Sequence, residues 1–192
     1  MILRGEAGPT KTRFCEAESI MVRQTPWVER EFEFKYPIGL FPGVIARLWG
    51  TPARLEEFAE SLPVDVLTAK IDHGWSIQEV IGHLGDVEEL HNGRLDDFLS
   101  GAEMLRAANM ANSKTARAAH NKTNIRELLM SFRGARLNFV RRLEELDEKA
   151  VVRTALHPRL KTPMRIIDMA FFVAEHDDHH VAAILEIIRR LA

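Results

Sequence analysis

Histidines and carboxylates that lie close together near residue 180 are the residues of this sequence best suited to chemistry. The segment AEHDDHHVAAI, residues 174–184, contains His176, His179 and His180 interspersed with three acidic residues. His176 and His180 are four positions apart, so on a helix they lie one turn apart on the same side. Imidazole nitrogens in that arrangement can bind one divalent metal ion together. The spacing therefore predicts one half of a metal site.

Helical geometry places a third histidine on the same interior. A helix turns by about 100° per residue, which converts sequence position into direction. With Val173 as the centre of the buried face, His180 lies about 20° and His176 about 60° from that centre. On an earlier helical pattern, His83 lies about 60° from a centre set at Val80. Burying three imidazoles costs free energy unless they are hydrogen-bonded or metal-bound, and one metal ion removes the cost for all three.

Three histidine ligands that leave a coordination position open are typical of a catalytic zinc-type site. Imidazole also suits nickel, copper and iron, so these residues do not choose the metal. Such a metal would lower the pKa of a bound water to about 7 for hydrolysis, or deprotonate a coordinated thiol for S-transfer. Two alternatives to a catalytic metal site stay open. In the first, no metal binds and each histidine is only a hydrogen-bonded core residue. In the second, the metal only stabilises a non-catalytic bundle that serves as a dimeric interaction module.

Further polar residues are predicted to surround the three histidines. Asp86 and Asp177 are candidates for orienting the ligand imidazoles, Asp177 also for acting as a base, and salt bridges are the alternative for both. Arg136 faces the core and needs an anionic partner, for which a structural carboxylate such as Asp177 is favoured over a substrate carboxylate. His91 is either a contact to substrate at the rim or a satisfied core residue. His179 points about 120° away from the buried face, toward the rim.

Four amphipathic helices are predicted to position these residues in an all-α fold, a four-helix bundle. The predicted helices cover residues 42–62, 76–100, 123–147 and 162–191. Ser76 and Glu79 form an S-x-x-E capping box at the start of the second helix. Thr51-Pro52 predicts a kink or a restart in the first helix, and Thr162-Pro163 predicts the start of the last one. Residues 101–120 are expected to form a long connection with at most a short helix, and no strand is expected.

Composition narrows the classes of protein to consider. The chain has 192 residues, 46% hydrophobic and 28% charged, as in an ordinary globular protein. Its net charge of −2 gives no electrostatic reason to expect nucleic acid as a partner. A single cysteine, Cys15, excludes an intrachain disulfide and a cysteine-rich zinc module. No apolar run approaches the roughly 20 residues that span a bilayer, so we expect no membrane partner and a cytoplasmic location. Residues 1–38 are expected to form an N-terminal extended arm and residues 39–192 the bundle.

Four segments of the chain resemble one known family. The segment GWSIQEVIGHL (74–84), followed by EHDDHHVAAI (175–184), resembles the DinB-like superfamily, which includes the YfiT-type metal-dependent hydrolases. The segment YPIG (36–39) is similar to the opening motif of the YfiT-type proteins. His157-Pro158 followed by Lys161 is similar to their segment before the last helix. The resemblance covers most of the chain from residue 36 onward.

The resemblance implies a four-helix bundle, often a homodimer, with one divalent metal held by His83, His176 and His180. It also implies that His179 is the family's frequent extra histidine and not a ligand. Relatives include hydrolases and thiol-dependent transferases and isomerases, so the expected partner is a small molecule, with a low-molecular-weight thiol among the candidates. The metal would be zinc, nickel or iron. The single Glu88-x-x-His91 motif does not indicate a carboxylate di-iron site, because such sites need two of these motifs and further glutamates.

Overall fold

The computed structural model describes residues 22–191. Its contacts divide the chain into two units, Met1–Arg30 and Glu31–Ala192. In the described part of the first unit, Trp27–Glu29 form one turn of 3-10 helix. Residues 1–21 of the predicted arm, Cys15 among them, lie outside the described residues. The predicted boundary between residues 38 and 39 stays a prediction.

The second unit contains a four-helix bundle, as the sequence predicts. Its helices and strands are α1 (Phe41–Ala59), α2 (Val64–Thr68), α3 (Ile77–Asp86), α4 (Glu88–Ser100), α5 (Ser113–Ala118), α6 (Ile125–Glu144), α7 (Glu148–Val151), β1 (Thr154–Leu156), β2 (Pro163–Arg165) and α8 (Ile166–Leu191). The bundle consists of α1, the consecutive pair α3–α4, α6 and α8. Both α1 and the α3–α4 pair pack against α6 and α8, so α6 and α8 lie at opposite corners. No described helix is long and apolar enough to cross a membrane.

The second bundle helix begins where the capping box predicts. The Ser76 hydroxyl accepts the Glu79 N–H, and the Glu79 carboxylate accepts the Ser76 N–H, so two orphan donors of the first turn are satisfied. This helix has an interruption at Val87, where α3 ends and α4 begins, although the His91 N–H still donates to the Val87 carbonyl. The buried face of α3 belongs to a core cluster that also contains residues of α1, α2, α6 and α8. Its buried members are Leu55, Ala59, Leu67, Ile77, Val80, Ile81, Leu84, Leu129, Phe132, Val181 and Ile184.

One predicted helix start is wrong, and one of the two alternatives for the first helix is excluded. Helix α1 runs through Thr51 and Pro52 without a restart, because both residues are buried in the bundle and packing outweighs the missing proline N–H. The predicted kink at Thr51-Pro52 stays a prediction. Helix α8 begins at Ile166, three residues after Pro163. The Asp168 carboxylate accepts the Arg165 N–H at 3.0 Å and binds the Arg165 guanidinium, which fixes the first turn there.

A short hairpin precedes α8, so the expectation of no strands is also wrong. Strand β1 pairs with β2 in antiparallel register, Ala155 opposite Met164. Three-residue strands are too short to show an alternating pattern in the sequence. Met104 forms a further bridge to Leu156, which ties the connection after α4 to this hairpin. The hairpin and that connection matter because both carry side chains toward the interior.

Candidate metal centre

Three histidines from two neighbouring bundle helices converge on one point. His83 lies near the end of α3, and His176 and His180 lie one turn apart on α8. One ring nitrogen from each histidine lies within 4.8 Å of the other two. The Nε2 atoms of His176 and His180 are 3.2 Å apart. The structure therefore brings together the three residues that the sequence predicts as ligands.

The three rings are in the protonation state that metal binding needs. Burial lowers the pKa of His83 to about 4. Burial, and then the neighbouring imidazoles, hold the pKa values of His176 and His180 well below the usual 6.5. At neutral pH all three are neutral and each offers a lone pair. A cation at the common point would accept all three lone pairs, so the residues present fit a divalent metal.

A chain of hydrogen bonds fixes the tautomer of His83. The Thr115 hydroxyl donates to Asp86 Oδ2 at 2.9 Å, and its oxygen lies 3.2 Å from His83 Nδ1. Because the hydroxyl has only one proton, Nδ1 of His83 is the donor in that contact and Nε2 keeps its lone pair for the centre. His120 Nε2 donates to the same Asp86 oxygen at 2.9 Å. We call Thr115, Asp86 and His120 the loop network.

Asp86 thus acts on His83 through Thr115 rather than by direct contact. Thr115 and His120 were not predicted from the sequence, since both lie in the weakly patterned connection of residues 101–120. A signal for His120 was present in Gly82, next to His83. A Cβ at Gly82 would lie 2.3–2.5 Å from atoms of the His120 ring, so only glycine lets that ring pack against α3.

A second set of polar side chains lies in the middle of the bundle. Arg136 of α6 is fully buried and donates to Glu88 Oε1 at 2.6 and 3.0 Å and to both oxygens of Asp177. Thr51 donates to Asp177 at 2.8 Å, and Nδ1 of His91 lies 3.2 Å from Glu88 Oε1. Burial alone would raise the pKa of Glu88, but Arg136 and His91 lower it to about 2. We call these five residues the core network.

Two predicted site residues, Asp177 and Arg136, belong to the core network. The hydrogen bonds of Asp177 go to Arg136 and Thr51, so the structure pairs Arg136 with the structural carboxylate that the sequence favoured. Both Asp177 oxygens take part in these bonds. Glu88 was not among the predicted site residues. Its signal was its place on the face of α4 that also carries His91, one turn away.

Three aromatic rings border the ligands. Trp75 lies 4.7 Å from His83 and stacks over His180 at 6.2 Å between ring centroids. His91 lies 6.3 Å from His176, and His179 lies 5.4 Å from His180, both edge-on. Part of the surface of residues His176 and His180 is exposed, whereas His83 is buried.

With this geometry in place, comparisons with known proteins identify the family. The sequence model of the DinB superfamily matches residues 47–184, well over half of the chain. The chain belongs to the DinB superfamily. This finding confirms the resemblance and the bundle fold that the sequence predicts.

Solved structures of similar fold include the following two. One is YfiT from Bacillus subtilis, described as a probable metal-dependent hydrolase with an unusual four-helix bundle topology. It is 22% identical, with a TM-score of 0.73 over 85% of this chain and 94% of YfiT. The other is the mycothiol-dependent maleylpyruvate isomerase, 11% identical, with a TM-score of 0.60 over 77% of this chain and 60% of the isomerase. No curated protein matches the chain. Likeness at these identities concerns the fold, so activity has to be argued from the site.

Proposed function

We propose that this DinB-superfamily protein binds one divalent metal ion through His83, His176 and His180 and uses it to act on a small molecule. The observation that carries the proposal is the approach of three neutral imidazoles, with ring nitrogens within 4.8 Å of one another. The description of YfiT as a probable metal-dependent hydrolase supports it. Zinc, nickel and iron are the candidates, because all three accept imidazole nitrogen.

The bound metal would supply Lewis acidity, which lowers the pKa of a coordinated water or thiol. The residues of the chain would hold the reacting groups in place. The loop network keeps the Nε2 lone pair of His83 directed at the centre. Trp75 forms an apolar wall beside the ligands. His91 has Nδ1 held by Glu88, so Nε2 is the ring atom that can exchange a proton with a substrate. We propose positioning roles for Asp86 and Asp177, through Thr115 and Arg136.

Hydrolysis is the favoured reaction, and S-transfer with a low-molecular-weight thiol is the second candidate. The higher structural similarity to YfiT supports hydrolysis. The shared fold with a mycothiol-dependent enzyme supports a thiol. Assays of the zinc-loaded protein with esters and amides, and with thiols plus an electrophile, separate the two. The homodimer stays a prediction, which sedimentation velocity can test. Absence of turnover in both assays, with no exchangeable water on the metal, would favour the non-catalytic alternative.

Zinc titration tests the ligand set directly. We expect the wild-type protein to bind one equivalent. His83→Ala, His176→Ala and His180→Ala should each lose more than the roughly 10- to 100-fold in affinity typical of residues that only orient a ligand. The matched control is His179→Ala, a neighbouring ring on α8, which should keep its affinity within about tenfold. Undiminished stoichiometric binding in all three ligand variants would refute the proposal.

A further inference from the structure

A second polar cluster lies in the turn between β1 and β2, outside the metal centre. The turn is closed by two backbone hydrogen bonds, from the His157 N–H to the Thr162 carbonyl and from the Lys161 N–H to the His157 carbonyl. The Leu160 N–H donates to His157 Nδ1 at 3.1 Å. Since Nδ1 is the acceptor there, the proton of the neutral imidazole is on Nε2.

Two side-chain nitrogens of this turn are buried without a hydrogen-bond partner. His157 is only 2% exposed, and its Nε2 has no partner among the described residues. Two residues further on, Nη2 of Arg159 is likewise buried and without a partner in the described part of the chain. Buried donors are nearly always satisfied, because each one left without a partner costs about 1–3 kcal/mol. Two such donors in one turn indicate a missing acceptor.

Arg94 brings a second guanidinium to the same place. Its side chain is 4% exposed, and its Nε donates to the Arg106 carbonyl at 3.2 Å. The residue before Arg106, Leu105, donates its N–H to the carbonyl of Leu156, which is the residue before His157. The backbone pairing therefore sets the Arg94 guanidinium beside the start of the turn.

The cluster carries two guanidinium charges, and the carboxylate that attracts Arg94, that of Asp97, is shared with Arg106. Neither Arg94 nor Arg159 forms an ion pair with any described residue. The carboxylate of Asp97 is bound by the Arg106 guanidinium through both oxygens. Burial and the charge of Arg159 lower the pKa of Arg94 to about 10, and burial with both arginines lowers that of His157 to about 4. A buried cation without a partner is costly, so the cluster lacks an anion.

We propose that Arg94, His157 and Arg159 bind the oxyanion group, a carboxylate or a phosphate, of the small molecule that reaches the metal. That this oxyanion belongs to the molecule that reaches the metal rests on the proposed function, whereas the oxyanion site itself does not. Guanidinium groups bind both oxyanions with paired N–H donors, and His157 Nε2 adds a neutral donor. Arg159 is only partly buried, so an anion can enter beside it.

Phe172 connects this site to the helix that carries two of the ligand histidines. The ring of His157 lies 5.5 Å from that of Phe172. Phe172 is four residues before His176 on α8, which corresponds to about 6 Å along the helix axis. An acid group at Arg94 and Arg159 would thus lie on the order of 10 Å from the ligand histidines. The substrate class we infer is a small organic acid or phosphate ester.

NMR titration with inorganic phosphate and, separately, with acetate tests the site and distinguishes the two sources of the oxyanion. We expect saturable chemical-shift changes at residues 157–160 for at least one anion. The anion that binds more tightly identifies the oxyanion group as a phosphate or a carboxylate. Arg159→Gln should weaken that binding by about tenfold or more, the worth of a charge-assisted hydrogen bond. The matched control is Arg126→Gln, an exposed arginine of α6 with no side-chain partner among the described residues. No saturable binding of either anion, or equal binding in wild type and Arg159→Gln, would overturn the proposal.

Repeating the titration with His176→Ala separates this proposal from the proposed function. We expect that variant to lose zinc and to keep the anion. In the wild-type protein, zinc binding without anion binding would refute only the oxyanion site, and anion binding without zinc binding would refute only the metal centre. Arg159→Gln removes a cation without a counter-ion, so its thermal unfolding midpoint should not fall. A second variant, Arg159→Lys, should recover part of the affinity, because it keeps the charge but not the paired donors.

Discussion

The core network and the loop network both border the ligand histidines, but different parts of the chain fix them. The core network joins side chains of α1, α4, α6 and α8, so the packing of long helices determines its geometry. The loop network joins α3 to α5 and to the 3-10 turn His120–Lys122, which are short elements of one connection. Its hydrogen bonds end on a ligand, His83. The comparison predicts that the core network mainly supports the stability of the bundle and the loop network mainly supports metal affinity.

The largest effect should come from breaking the core network at its only guanidinium. Arg136→Met leaves the carboxylates of Glu88 and Asp177 buried without their counter-charge. Removing one partner of a buried ion pair typically costs about 3–5 kcal/mol. We expect the free energy of unfolding of the metal-free protein to fall by about that amount in urea denaturation.

The same helix offers a matched control for this variant. Arg133 lies three residues earlier on α6 and pairs with Glu56 near the surface, with its side chain 34% exposed. Exposed ion pairs contribute about 0–1 kcal/mol, so Arg133→Met should be nearly neutral. Equal losses in the two variants would mean that the core network has no special role in stability.

Lowering the pH should remove the stability contribution of His83 before that of Glu88 in the core network. The pKa of His83 is about 4 when folded and about 6.5 when unfolded, so the unfolded chain binds more protons between these values. Stability from the neutral ring is complete above pH 6.5 and is lost as the pH falls toward 4. The shift corresponds to about 3 kcal/mol. Glu88, with a pKa lowered from 4.5 to about 2, should lose its contribution only between those two values.

Urea denaturation of the metal-free protein across pH 2–7 measures this order. His83→Gln should reduce the loss between pH 6.5 and 4 by the share of His83, because the lowered pKa values of His157, His176 and His180 still contribute there, and it should leave the later loss unchanged. If the variant and the wild type lost stability in parallel through that window, the buried neutral state assigned to His83 would be incorrect. Work on metal-free protein is essential, since acid also displaces a bound metal from imidazole.

The two networks also differ in how far they could be foreseen from the sequence. The direction of His83, and of the core-facing arginine, followed from the 3.6-residue period of long helices. Thr115 and His120 could not be placed, because the path of a weakly patterned connection depends on tertiary contacts. Gly82 was the one sequence signal for that contact, because only glycine leaves room for the His120 ring at this position. The hairpin of residues 154–165 was not predicted, because three-residue strands carry no periodic signal. The proposed oxyanion site in its turn could therefore not be predicted either.

The smallest effect we predict tests the loop network at the hydroxyl that contacts the ligand. Thr115→Val keeps the shape of the side chain but removes the group that accepts from His83 Nδ1 and donates to Asp86. Loss of such an orienting group typically reduces metal affinity by 10- to 100-fold, and we expect about tenfold, since packing still restrains the ring. Thr115→Ser, which keeps the hydroxyl, is the control and should bind zinc as the wild type does. Competition with a zinc chelator gives the affinities. If Thr115→Val kept full zinc affinity while losing as much stability as Arg136→Met, the loop network would support the stability of the bundle and not metal affinity, contrary to the roles proposed above.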